Sequence, residues 1–175
     1  MHSLEQHVQA MKDVVKSIEN DFTKPDDDWD GMMVMLGESS FDLLPLRFRN
    51  EWEKEIWANT IIPLVIAESK PIMVGQVQSA WVVEAKAKPG ATPENAKSYK
   101  DIIGVQPSQH PDRQEVVILA MITAEQYQIW TAKIVRFKDR PPKLNPWRLW
   151  PTKGDVKISG QFFEPIQKAL KEVNS

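Results

Sequence analysis

Residues 107–123 constrain the fold more than any other stretch of this chain. A turn, Pro107-Ser-Gln-His-Pro-Asp-Arg113, feeds the apolar run Glu115-Val-Val-Ile-Leu-Ala-Met-Ile-Thr123. Strand side chains alternate between faces, so Val116, Ile118, Ala120 and Ile122 fall on one side and Val117, Leu119 and Met121 on the other. Both sides are apolar, as in a strand buried on both faces inside a sheet. Thr123-Ala-Glu125 leaves room only for a tight reversal, which makes the segment 126–137 return antiparallel. In that segment Tyr127 and Ile129 share one parity, Trp130, Ala132 and Ile134 the other, and Val135 and Phe137 revert. The change requires either a bulge near Thr131–Lys133 or a strand buried on both faces for part of its length.

The rest of the chain supplies what such a hairpin needs around it. Leu4, Val8, Met11, Val15, Ile18 and Phe22 step by four and three, drawing one apolar stripe along a helix over 4–22, with Ser3 and Gln6 at capping-box spacing. The stripe is too short for a coiled coil and is expected to pack on the chain's own sheet. Met32–Leu36 reads as a short buried strand, and Phe41–Phe48, interrupted by Pro45, as an edge strand or extended segment. Asn50 caps a helix whose apolar continuation contains Pro63, where a kink or break is expected. Trp52 and Trp57 read as core anchors of that helix. The segment 72–86 alternates as a long strand, Met73, Val77, Trp81, Val83 and Ala85 on one face, with a bulge expected at Gly75. It should lie antiparallel beside 115–123. Residues 87–113 form a long irregular connection in which Thr92-Pro-Glu-Asn starts like a short helix, and 160–173 reads as a final helix.

The fold class is therefore α+β: one domain over residues 1–175, with a curved, mostly antiparallel sheet of about four to five strands. N-terminal, central and C-terminal helices pack against it and are expected to collect on one face.

Composition narrows function mainly by exclusion. A net charge of −2 disfavours charge-driven binding to nucleic acid or anionic membranes, and no run of apolar residues is long enough for a membrane span. Cysteine is absent, which removes disulfides, thiolate metal sites and cysteine nucleophiles. The N-terminal residues do not resemble a signal peptide, so cytoplasmic residence is the expectation. The histidines, His2, His7 and His110, form no zinc-ligand spacing, and Gly-x-Ser-x-Gly, Gly-x-Gly-x-x-Gly and phosphate-loop motifs do not occur. No cofactor and no metal site are expected.

Asp26-x-Asp28-x-Asp30-Gly31 resembles the first half of an EF-hand calcium loop, but Gly37 stands where the bidentate glutamate belongs and a strand follows in place of the exiting helix. No calcium site of useful affinity is expected there; an acidic turn bonded to its own backbone is.

The candidate ligand-binding residues are Trp81, Glu84, His110, Asp112, Arg113 and Glu115. His110-Pro-Asp-Arg113 fits a type I turn, and antiparallel pairing of 72–86 with 115–123 would bring Glu84 and Trp81 to the start of the second strand. Carboxylates, an imidazole and a guanidinium together are able to do acid–base work or bind an anion, and Arg113 is expected to contact Glu84 or Glu115. Ser79-x-Trp81 followed by Pro107-Ser-x-x-Pro111-Asp-Arg113-x-Glu115 resembles the pattern of a family of uncharacterised bacterial proteins. There a Ser-Glu-Ala-Trp stretch precedes Pro-Ser-x-x-Pro-x-Arg-x-Glu and an apolar strand; this chain lacks the glutamate before Ala80. The resemblance implies no activity, only that the two stretches belong to one site.

The segment 138–153 is a weaker candidate for nucleic acid. Arg140, Lys143, Arg148 and the interleaved Trp147 and Trp150 offer cations and stacking surfaces, but tryptophans beside prolines also pin irregular chain to a core. The leading functional expectation is a non-enzymatic protein-interaction or self-association module, using helix 4–22 or an uncovered sheet edge. The alternative is a small-molecule or anion-binding protein, with catalysis open, at the Trp81–Glu115 end of the sheet.

Overall fold

The computed structural model describes residues 4–38, 40–83, 88–91, 99–150 and 162–174. Helix α1 (Leu4–Ser17) ends in a 3-10 turn (Ile18–Asp21) and leads to the hairpin β1 (Met32–Leu36) and β2 (Phe41–Pro45). Next come α2 (Glu51–Ile56), a π-helical turn (Trp57–Ile61), α3 (Ile62–Ser69) and the long strand β3 (Met73–Val82). A short helix α4 (Tyr99–Ile103) and a 3-10 turn (Pro107–Gln109) precede β4 (Gln114–Ile122) and β5 (Tyr127–Val135). The strands β6 (Lys143–Leu144) and β7 (Arg148–Leu149) are minimal, and α5 (Phe163–Val173) closes the fold.

The sheet is antiparallel, in the order β2-β1-β3-β4-β5, with β6 and β7 both on the outer edge of β5. Seven strands thus take part, more than the sequence suggests, because the hairpin partner β2 and the two minimal strands join. β4 is internal, paired with β3 on one side and β5 on the other, as its two-faced apolar pattern requires. The β4–β5 register runs without interruption from Val116↔Lys133 to Ile122↔Tyr127, so β5 contains no bulge. Its parity change reflects burial on both faces: Ile129 enters one core, Ala132 and Ile134 the other. At the reversal, the Thr123 N–H donates to the Gln126 carbonyl (2.8 Å), and Thr123 Oγ1 accepts from the Gln126 N–H (3.0 Å).

The helices occupy both faces of the sheet, not one. On one face the α1 stripe, with Val8, Met11 and Val15 buried, packs on Val34, Met73, Val77, Val117, Leu119, Met121, Ala132 and Ile134. On the other, α3 and α5 bring Ile62, Ile66, Ile166 and Leu170 against Met33, Met35, Val74, Ala120, Ile122 and Ile129. The sheet needs cover on both faces because β1, β3 and β4 are apolar on both, and each fully buried aliphatic side chain contributes about 1.5–3 kcal/mol. Gly75 marks close approach instead of the expected bulge. A Cβ there would lie 3.1 Å from Met121 Sδ and 3.5 Å from Met11 Cε, so the missing side chain lets α1 sit down on β3.

Pro63 does not break its helix. The Ile62 N–H reaches back to the Trp57 carbonyl, and the resulting π turn absorbs the irregularity just before the proline. Asn50 Oδ1 accepts from the Glu53 N–H (2.8 Å), the expected cap. Trp57 anchors as expected, edge-on to Phe48 at 5.9 Å. Trp52 does not; it is among the most exposed large side chains, because five residues at 3.6 per turn set the two rings on different faces of the helix. The expected helix start at Thr92, the cap at Ser3 and the first residues of 160–173 lie outside the described residues. No described helix is long and apolar enough to cross a membrane.

Candidate functional site

The strand register brings Trp81 directly opposite Glu115 at the β3–β4 end, on the sheet face that α1 covers further along. The partner of Glu115, however, is not Arg113. It is Arg136, just past β5, which binds the carboxylate through both sides of its fork: Nε donates to Oε2 at 2.8 Å and Nη2 to Oε1 at 2.6 Å. The same Nη2 lies 3.0 Å from Asp28 Oδ2, while Nη1 donates to the backbone carbonyls of Asp27 (2.8 Å) and Pro25 (3.5 Å). A guanidinium has five N–H donors, and these contacts occupy all of them. The hydrogen bonds to Glu115, helped by the nearby Asp28 charge, hold the Arg136 proton more tightly than usual, outweighing partial desolvation.

Arg136 thereby fastens the acidic loop to the sheet. From below, the loop is anchored by Trp29, which is 1% exposed, donates its indole N–H to the Val15 carbonyl (3.0 Å) and meets Phe22 edge-on at 4.7 Å. The carboxylates with EF-hand-like spacing diverge. Asp28 faces Arg136, with Ser79 Oγ at 3.5 Å, and Asp30 pairs with Arg47 at 3.0 Å. Just before them in sequence, Asp27 turns back to accept from the Thr23 and Lys24 N–H groups at 2.6 and 2.8 Å, bonds that hold its carboxyl below the usual range. Among the described residues no group of three or more metal-ligating side chains converges.

The other candidates at this end form a turn. The Arg113 N–H donates to the His110 carbonyl (3.2 Å), and His110 Nδ1 accepts from the Asp112 N–H (3.1 Å), so the imidazole serves the turn's own backbone. Arg113 makes no ion pair with Glu115; its guanidinium lies over the Trp81 ring, 5.1 Å from the centroid, where it makes a cation–π contact. Trp81 is 42% exposed, Asp112 is exposed, and Glu84 lies outside the described residues. The expected contact of Arg113 with Glu115 is thus made by Arg136 instead, and the alternative contact with Glu84 falls outside the described residues.

The basic segment is built into the edge of the fold. β6 and β7 place Lys143 opposite Val135 and Arg148 opposite Thr131, and Arg140 lies over the Phe137 ring at 3.8 Å. Trp147 packs with the α1-side core and Trp150 with the opposite core, so the rings do not form one stacking platform. Glu19 secures the segment by accepting from the Leu144 N–H (2.6 Å) and pairing with Lys16 (2.7 Å). Beside it runs an open groove of about 300 Å³ between α1 and 144–147, lined by Gln9, Lys12, Asp13, Lys16, Asn145 and Trp147. Lys12 Nζ sits 3.0 Å from the Trp130 ring centroid, and partial burial lowers its pKa.

At the opposite side of the sheet from these groups, β2 pairs, among the described residues, with β1 alone. Phe41 and Leu43 point to the α1 side of the sheet, opposite Leu36 and Val34, yet are 69% and 52% exposed. Sequence reasoning recognised an edge strand here but not the exposure of its side chains; the Phe-x-Leu-x-Pro alternation was the available signal. No family model, curated protein or solved structure matches this chain.

Proposed function

We propose that the chain is a non-enzymatic protein-interaction module that binds by strand addition at the outer edge of β2. The observation that carries this reading is the pairing of an open strand edge with Phe41 and Leu43 standing 69% and 52% exposed upon it. An added strand gains main-chain hydrogen bonds from such an edge, and alternate side chains supply selectivity. The apolar stripe of helix 4–22 is buried on the sheet, which favours the sheet edge over that stripe as the binding surface. Binding of a small anion at the Trp81–Glu115 end is the weaker alternative, because Arg136 has no donor left to offer and Glu115 is already held on both oxygens.

The test compares the wild-type chain with Leu43→Lys, by native mass spectrometry of freshly purified protein and by affinity capture from cells. The substitution adds a charge at an exposed position and should leave the fold's stability within about 0.5 kcal/mol. We expect the wild type to retain a protein partner, of its own mass or another, and the variant to lose it. Equal retention by both, or none by the wild type, overturns the reading.

A further inference from the structure

The phase of the β1–β2 hairpin determines what the open edge can accept. The Gly37 N–H donates to the Ser40 carbonyl (2.9 Å) at one end, and the Leu46 N–H to the Gly31 carbonyl (2.7 Å) at the other. Both pairs lie in the same register as Leu36↔Phe41 through Met32↔Pro45, and bonding alternates along an antiparallel ladder. The even-numbered residues of β2 therefore bond inward to β1, while Phe41, Leu43 and Pro45 direct their backbone groups away from the sheet. Pro45, with no N–H, stands at one of these outward positions, the place in a sheet where a proline is tolerated.

We infer that the strand added here is β2 of a second copy of this chain, antiparallel and centred on Leu43 opposite Leu43. This inference rests on the strand-addition reading above and names its partner. Only registers that place outward residues opposite outward residues form ladder bonds, which leaves centres at 42, 43 or 44. A centre at residue 44 matches Leu43 with Pro45, and the missing N–H halves the bonds. A centre at residue 42 sets Asp42 directly against Asp42, and like charges opposite one another destabilise a strand pair. The centre at Leu43 keeps the two Asp42 carboxylates from facing one another and puts Pro45 only at the two ends of the ladder. Leu43 exchanges two bonds with its copy, and each Phe41 N–H reaches the Pro45 carbonyl opposite, giving about four bonds in all.

Side chains agree with this register. The two-fold axis of such a pair is perpendicular to the sheet, so Phe41, Leu43 and Pro45 of both copies gather on one face. There they continue the apolar surface of Met32, Val34 and Leu36. With a net charge of only −2, the copies repel one another weakly. A strand pair buries less than the roughly 1,200 Å² of a standard interface, so the association is of the weak, concentration-dependent kind.

The absence of cysteine makes the register directly testable in the full-length chain. Residues facing one another at a bonded pair have Cα atoms about 5.5 Å apart, within reach of a disulfide, which forms here under a mild oxidant such as diamide. Leu43→Cys should cross-link to a dimer at least about tenfold faster than Phe41→Cys or Asp42→Cys, whose counterparts would lie roughly 14 and 8 Å apart. Mixing Phe41→Cys with Pro45→Cys should give the heterodimer. Melting curves matching the wild type establish that each variant is folded. Equal rates at all positions, or fastest linkage through Asp42→Cys, overturn the inference. So does a monomeric wild type that still captures a different protein through Leu43; in that case the strand-addition reading stands without this partner. Loss of both self-linkage and Leu43-dependent capture removes the two together.

Discussion

The two ends of the β-sheet's width, the Arg136 clasp and the β2 edge, differ in how much bonding capacity they leave open. At the clasp, Arg136, Glu115, Asp28 and two backbone carbonyls satisfy one another, and the guanidinium has no donor to spare. Along β2, Phe41 and Leu43 carry outward backbone groups and exposed apolar side chains. The charged cluster attracts attention in a sequence because its residue types are those of active sites, yet the Arg136–Glu115–Asp28 network is spent on holding a loop in place. The plain apolar strand is the end with free capacity. Chemistry-bearing residue types and available chemistry are separate properties.

The sharpest way to break this comparison is Arg136→Met. If the clasp is structural, removing the guanidinium strands Glu115, which is only 16% exposed, and unfastens the acidic loop. We expect a loss of about 2–3 kcal/mol, below the full range for buried pairs because Arg136 keeps 31% exposure. Urea denaturation measures it, and a loss under about 0.5 kcal/mol would show that the loop does not depend on the clasp. Arg113→Ala sharpens the contrast, since its contact is a half-exposed cation–π pair worth about 1 kcal/mol or less. A larger loss for Arg113 than for Arg136 would reverse the assignment of roles.

The smallest effect belongs to Asp27. Its folded pKa is depressed by the Lys24 and Thr23 backbone N–H groups, so its contribution is present above the unfolded pKa and is lost as pH falls through the folded one. Asp27→Asn should therefore differ from the wild type by a constant amount at neutral pH, and the two melting curves should converge only below about pH 4. Convergence already near pH 6 would point to another group.

Much of the architecture could be read before the coordinates, for identifiable reasons. The two-faced run of β4 and the short reversal at Thr123–Glu125 leave the chain one arrangement, and Pro45 is compatible only with an edge. The four-three stripe of α1 specifies a packed face equally well. What the pattern did not reveal is which face each helix takes, because strands apolar on both sides accept cover on either. At the site, Glu115 was legible and its partner was not. Arg136 becomes visible only after the β4–β5 register is extended past Val116↔Lys133, which sets it across from Arg113 and diagonal to Glu115. Asp28 carries no such signal, since its place depends on Trp29 burying 14 residues away from Val15 in sequence.

β6 and β7 have one further effect, on assembly. Along the far edge of β5, pairs at Trp130–Thr131 and Ile134–Val135, with backbone bonds to Ile129 and Lys133, cap nearly every outward position with strands two residues long. An edge that short gives an incoming strand little to template on. If copies pair through β2 as proposed, that pairing would be terminal: among the described residues the far edge is capped, so the contact that joins a pair would give no route to a fibre.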